Sequence, residues 1–231
     1  MRRTLYGTFG MLTILIACMA TAAFMATTGR ALEKTPAQVR KTATVGVIAA
    51  GRGQTSEVTA WAKSCGMNAV PIGLKADPSE LDGIIVAGCL DDENDGTDGR
   101  RVELIRRFVT AGKPVLGISG GDRVVNAAFG GTARRSENPE ISTRKVFVSG
   151  ASEMREAYGT SMNAVVCGTG TVVRLGKGLR ATQTGNGGKT VYGLEHKALP
   201  AYGIEWCPEK MGENGKPAGE RFAQECEARM L

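Results

Sequence analysis

Ser119 sits in the arrangement of this sequence best suited to covalent chemistry. It occupies the centre of Gly117-Ile118-Ser119-Gly120-Gly121, a G-x-S-x-G pattern in which a strand gives way to a sharp turn and then a helix. Such a turn holds a hydroxyl on a strained backbone beside a helix N-terminus that favours negative charge. The chemistry would be acyl transfer, with the hydroxyl attacking a carbonyl carbon. A serine hydroxyl is a poor nucleophile until a neighbouring base takes its proton, and the chain has a single histidine, His196.

The elements that must position Ser119 are written around it in residues 113–133, KPVLGISGGDRVVNAAFGGTA. Residues 114–118 form an apolar run without alternation, as expected of a strand buried on both faces of a parallel sheet. Residues 122–129 place Val124, Val125 and Ala128 on one helical stripe, which Gly130-Gly131 ends. Upstream, strands are expected over 44–50, 68–72 and 81–87. Between the first two, Val58, Trp61, Ala62 and Cys65 recur at helical spacing and Gly66 closes the helix. A second helix over 99–112 turns Val102, Ile105, Phe108 and Val109 inward and Arg100, Arg101, Arg106 and Arg107 largely outward. Downstream, 134–144 reads as a loop and 145–149 as a strand. Two strands over 190–195 and 202–206 are joined by 196–201, and a closing helix carries Phe222, Ala223, Cys226 and Met230 on one side. Strands alternating with helices predict an α/β fold, a doubly wound, mainly parallel sheet flanked by helices.

Residues 113–133 resemble the nucleophile segment of the class I glutamine amidotransferase-like superfamily, above all its γ-glutamyl hydrolase branch, which cleaves γ-glutamyl-γ-aminobutyrate. The usual form there is close to PVLGICRGxQxxNxxxGGT. Residues 114–118, Gly121, Asn126 and Gly130-Gly131-Thr132 agree, while the nucleophilic Cys falls on Ser119, the following Arg on Gly120 and the Gln on Arg123. The family's P-G-G-G-D loop, whose N–H groups help to form the oxyanion hole, falls on Ala87-Gly88-Cys89. Residues 203–209, GIEWCPE, resemble the ending G-V-x-W-H-P-E, with the general base on Cys207 and the acid that orients it on Glu209. Residues 165–179 resemble a segment that begins N-S-x-H-H-Q, its two His positions on Gly168 and Thr169 and its Gln on Gly170. The resemblance therefore implies catalytic positions Ser119, Cys207 and Glu209 and oxyanion or pocket positions Gly88, Cys89 and Gly120. Each departure falls on a chemical position while the glycines, the proline and the apolar framework persist.

His196 does not replace the missing base. It lies in the turn before the last strand, and at about 3.3 Å per residue that strand puts roughly 15 to 20 Å between it and Cys207. A thiolate at Cys207 could accept a proton, although Glu209 nearby opposes its formation. Two readings follow. In the first, the chain is a binding or scaffold protein whose family catalysis has lapsed and whose old pocket takes a small amino-acid-like or γ-glutamyl ligand. In the second it is an active hydrolase of γ-glutamyl or related amide bonds with Ser119 as nucleophile. The resemblance also places Cys89 and Cys207 on one cleft, where they could form a disulfide.

Composition bounds the rest. The length of 231 residues fits one medium domain. The formal charge of +6 falls to +4 without Arg2 and Arg3, and the basic residues are dispersed, so nucleic acid is not an expected partner. Arg2-Arg3, an apolar centre over 11–20 and the small residues Ala20-Thr21-Ala22 lay out a signal peptide or, through residues 4–29, a membrane anchor. Leu15-Ile16-Ala17-Cys18 resembles a lipobox with Cys18 as the lipidated residue. The expected organisation is a leader or anchor over 1–30, a linker over 31–43 and the domain over 44–231, in an exported protein, periplasmic or extracellular. No C-x-x-C pair suggests a metal site. The acidic run 91–95 lacks the ligand spacing of a calcium loop, and no cofactor or metal is expected.

Overall fold

In the computed structural model of the chain, residues 41–49, 52–88, 97–168 and 170–230 are described, and they belong to a compact unit spanning Lys41–Leu231. Strand β1 (Thr44–Ile48) leads through α1 (Arg52–Ser64) to β2 (Asn68–Pro71), then to β3 (Gly83–Ala87), α2 (Thr97–Thr110), β4 (Val115–Ile118) and α3 (Gly121–Ala128). There follow β5 (Thr132–Arg135), β6 (Ser142–Val148), a short α4 (Arg155–Tyr158), β7 (Ser161–Val166), β8 (Gly170–Arg174), β9 (Leu179–Gly185), β10 (Thr190–His196), β11 (Ala201–Ile204) and α5 (Lys216–Glu227).

The main sheet has the order β2-β1-β3-β4-β11-β10-β9-β6-β7. Its first five strands are parallel, with β4 in register between β3 and β11, and the remaining strands add on antiparallel. The expected doubly wound, mainly parallel sheet is present. The reason is legible in burial: every residue of β3 and β4 is buried, which only helices on both faces can achieve. One face packs Trp61, Ala62 and Cys65 of α1 with Phe222, Ala223 and Cys226 of α5. The other packs Leu104, Ile105 and Phe108 of α2 with Val124 and Val125 of α3.

Several expectations are corrected. Arg101 is only 6% exposed, so α2 does not turn all its arginines outward. Arg107 reaches back to donate to the carbonyls of Leu74 and Ala76. The stretch expected as a loop contributes to β5, which pairs with β8, and to the start of β6. A polar strand on a small exposed sheet has no buried face to impose alternation on its sequence.

Among the described residues, no helix is long and apolar enough to cross a membrane, and no group of three metal-ligating side chains converges. The leader, Cys18, the linker over 31–40, Cys89, the acidic run and Thr169 lie outside the described residues.

Candidate functional site

Ser119 is the first residue after β4, and its φ is +54°. A left-handed backbone at a non-glycine residue costs roughly 1–3 kcal/mol and persists only where the surroundings impose it. Here they do: the Ser119 N–H donates to the carbonyl of Trp206 at 3.3 Å, and the Ser119 carbonyl accepts from the Asp122 N–H at 3.4 Å as α3 begins. The elbow expected from five residues is therefore present in its strained form. Its side chain is enclosed, with no exposed surface.

The closeness of Gly120 and Gly88 explains the glycines. A Cβ on Gly120 would run into the carbonyl oxygen of Gly88, and one on Gly121 into the carbonyl oxygen of Val86. The two oxyanion-loop positions are thus brought together, but the group that Gly88 turns towards Gly120 is an acceptor. The arginine that the family carries at the position of Gly120 has no room.

Cys207 stands where the resemblance would place a base. Cys207 follows β11, is fully buried, and holds its Sγ 3.6 Å from Ser119 Oγ. Its sulfur is bonded to that of Cys167 across a Cα–Cα separation of 6.8 Å, a different partner from the Cys89 with which the sequence left a bridge open. A disulfide sulfur cannot accept the Ser119 proton as a thiolate would. Glu209 lies in the turn Pro208–Lys210. Neither of its buried carboxylate oxygens finds a hydrogen-bond partner among the described residues, and burial pushes its carboxyl above the usual range.

His196 lies at the other end of β11 from Ser119. Its Nδ1 accepts from the N–H groups of Ala198 and Leu199 at 3.1 and 2.9 Å, and its ring packs 4.8 Å from that of Phe129. Burial and the Lys197 charge lower its pKa. It is a neutral staple of the turn.

A buried charged cluster beside the elbow was not anticipated from the sequence. Arg123 Nη1 donates to Glu205 Oε2 at 2.9 Å, with side chains 1% and 3% exposed. Asp122 is equally enclosed. Burial pushes the carboxyls of both Asp122 and Glu205 upward, and the neighbouring Asp122 raises Glu205 further than the Arg123 charge brings it down. The cluster therefore keeps a proton well above the ordinary carboxylate range. One signal was available: Glu205 stands among apolar residues of the strand expected over 202–206, and a glutamate buried there must bring a partner.

Arg123 also packs against the backbone of Gly170. A Cβ on Gly170 would lie 3.1 Å from the Arg123 guanidinium carbon, and one on Gly168 would lie 2.6 Å from the Glu140 carbonyl oxygen. A side chain at Gly170 would also meet the Arg134 carbonyl oxygen at 2.6 Å, so neither position has room for one. Beyond them opens a polar cavity of about 320 Å³, walled by Glu140, Ser142, Arg144, Asn186, Thr190 and Glu205 among others. It offers both charges and several neutral donors and acceptors, suited to a small zwitterionic ligand.

Residues 52–223 match the family model described as glutamine amidotransferase class-I. The chain is 31% identical over 130 residues to the glutamine-hydrolysing GMP synthase subunit of Methanospirillum hungatei, covering 55% of this chain and 63% of that protein. It therefore spans just under two thirds of that relative's length. Its counterpart from Methanococcus aeolicus is 25% identical over 160 residues, or 69% of this chain and 81% of that one. A crystal structure of a protein of the same GMP synthase type from Thermoplasma acidophilum superposes with a TM-score of 0.69 at 19% identity, covering 81% of this chain and 96% of that one. That likeness speaks for the fold. These relatives support the superfamily without singling out its γ-glutamyl hydrolase branch.

Proposed function

The chain belongs to the class I glutamine amidotransferase family, and we propose that it is a binding protein in which the family's Cys-His-Glu catalysis has lapsed, exported as its leader-like N-terminal residues suggest. The observation that carries this reading is Cys207. The position of the general base holds a sulfur bonded to Cys167, with Ser119 Oγ 3.6 Å away and no imidazole beside it. Loss of one triad member leaves little catalysis, and here nucleophile and base are both replaced. The unpartnered carboxylate oxygens of Glu209 support the same conclusion. The ligand is a small amino-acid-like or γ-glutamyl molecule held in the cavity walled by Glu140 and Arg144, where an ammonium and a carboxylate each meet an opposite charge.

A second reading has one observation in its favour. The elbow keeps its strain, with φ of +54° at Ser119, and strain of this kind clusters at working active sites. In that reading Ser119 hydrolyses a γ-glutamyl or glutamine amide.

Hydrolysis of L-glutamine and of a γ-glutamyl anilide panel separates the two, measured on the wild type, on Ser119→Ala and on the double variant Ser119→Cys/Cys207→His. No turnover by the wild type, with zwitterion binding detected by calorimetry, is the expected result. Wild-type turnover that disappears in Ser119→Ala would establish the hydrolase instead. Activity confined to the double variant would show that only the reacting groups had been lost.

A further inference from the structure

We propose that Cys167 and Cys207 form a reversible thiol–disulfide site, which ties the edge strand β7 to the central elbow and sets which sulfur species faces Ser119. The order of strands makes this pairing informative. Four steps across the sheet separate β11 from β7, yet Val166 of β7 forms an isolated bridge with Trp206, and the Cys207 N–H donates to the Val165 carbonyl at 2.8 Å. The sheet curls until its edge meets the segment after β11, and the disulfide closes the seam that those backbone contacts begin.

The two sulfurs differ in access. Cys207 has no exposed surface, whereas Cys167 is 9% exposed, and its neighbours Val166 and Gly168 line the polar cavity. A small dithiol reaches the bridge at Cys167, the more exposed of the two residues. One of its thiolates attacks Cys167 Sγ; the S–S bond breaks, its electron pair leaves on Cys207 Sγ, and that sulfur takes up a proton. The second thiol of the reagent then attacks the mixed disulfide and releases Cys167. The protein gains two electrons and two protons, and the dithiol becomes a cyclic disulfide. The product places a Cys207 thiol beside Ser119 Oγ and leaves the seam to its backbone contacts. The other described cysteines are bystanders: Cys65 and Cys226 are buried and unbridged, and burial pushes the Cys65 thiol up to about 11 and that of Cys226 higher still.

The test equilibrates the full chain, without denaturant, in mixtures of reduced and oxidised dithiothreitol, then alkylates it and assigns each cysteine by peptide mass, with amide hydrogen exchange measured on both end states. Cys167 and Cys207 are expected to gain label together and reversibly while Cys65 and Cys226 stay unlabelled. Exchange over residues 163–168 should rise several-fold on reduction, and Cys167→Ser should show the faster exchange without any reductant. Four results would overturn the proposal: both thiols alkylated in the oxidised protein, a Cys207 bridge to Cys89, reduction only after unfolding, or exchange in Cys167→Ser equal to that of the oxidised wild type.

Discussion

Cys207 Sγ lies 3.6 Å from Ser119 Oγ, although 88 residues separate them in the chain. The contact exists because β11 runs parallel to β4 in register, with Ile204 opposite Ile118, so the residues that follow the two strands emerge at the same end of the sheet. This places nucleophile and base positions together in many chemistries of this architecture. In this chain it brings together a hydroxyl and a disulfide sulfur.

The strain at Ser119 is measurable without any substrate. Ser119→Gly and Ser119→Ala both remove the hydroxyl, but only glycine relaxes a φ of +54°. Denaturant unfolding should find the glycine variant more stable than the alanine variant by about 1 kcal/mol. Equal stabilities would mean that the elbow is not strained in solution.

Gly120 should tolerate no side chain. Because its Cβ would collide with the Gly88 carbonyl, Gly120→Ala is expected to lose roughly 1–3 kcal/mol through backbone displacement. Gly53 in α1 has open space around the same atom, and Gly53→Ala should instead be neutral or stabilising by up to about 1 kcal/mol. Urea midpoints of the two variants make the comparison.

Stability should fall as pH rises above the carboxylate range. Burial pushes up the carboxyls of both Asp122 and Glu205, and Asp122 raises Glu205 further. The folded state therefore holds a proton that the unfolded chain releases near the ordinary carboxyl pKa of about 4. With fewer protons bound in the unfolded state, the stabilisation is complete below that value and is lost as pH climbs towards the raised folded value, at up to about 1.4 kcal/mol per pH unit for each retained proton. Glu205→Gln should flatten this slope in urea titrations between about pH 5 and pH 9, a range set by the same linkage. A slope unchanged by the substitution would place the proton elsewhere.

Asn126 is fully buried and joins three segments: its Nδ2 donates to the carbonyls of Thr132 and Arg174 at 3.2 and 3.0 Å, and its Oδ1 accepts from the Gly176 N–H at 2.9 Å. Asn126→Ala strands three backbone groups and should cost roughly 2–4 kcal/mol in a thermal or chemical unfolding experiment. Asn126→Asp can keep the acceptor but not the donors, so it should rescue little.

Much of this molecule was written locally. The continuous apolar run before Ser119 dictated a strand buried on both faces, the glycine pair after it a tight turn, and the 3.6-residue spacing of Val58, Trp61, Ala62 and Cys65 the inner face of α1, all of which are buried as that pattern requires. The elbow could be read from five residues because strand, turn and helix are each determined by near neighbours. Tertiary structure alone decided the partner of Cys207. Sequence spacing carries no information on which of several sulfurs a curled sheet will bring within bonding distance, and it is the return of β7 to the segment after β11 that selects Cys167. The Asp122–Arg123–Glu205 cluster arose in the same way. Two of its members are adjacent in α3, but the third is 82 residues away, and only parallel pairing of β4 with β11 closes the distance over which a buried charge can be paired.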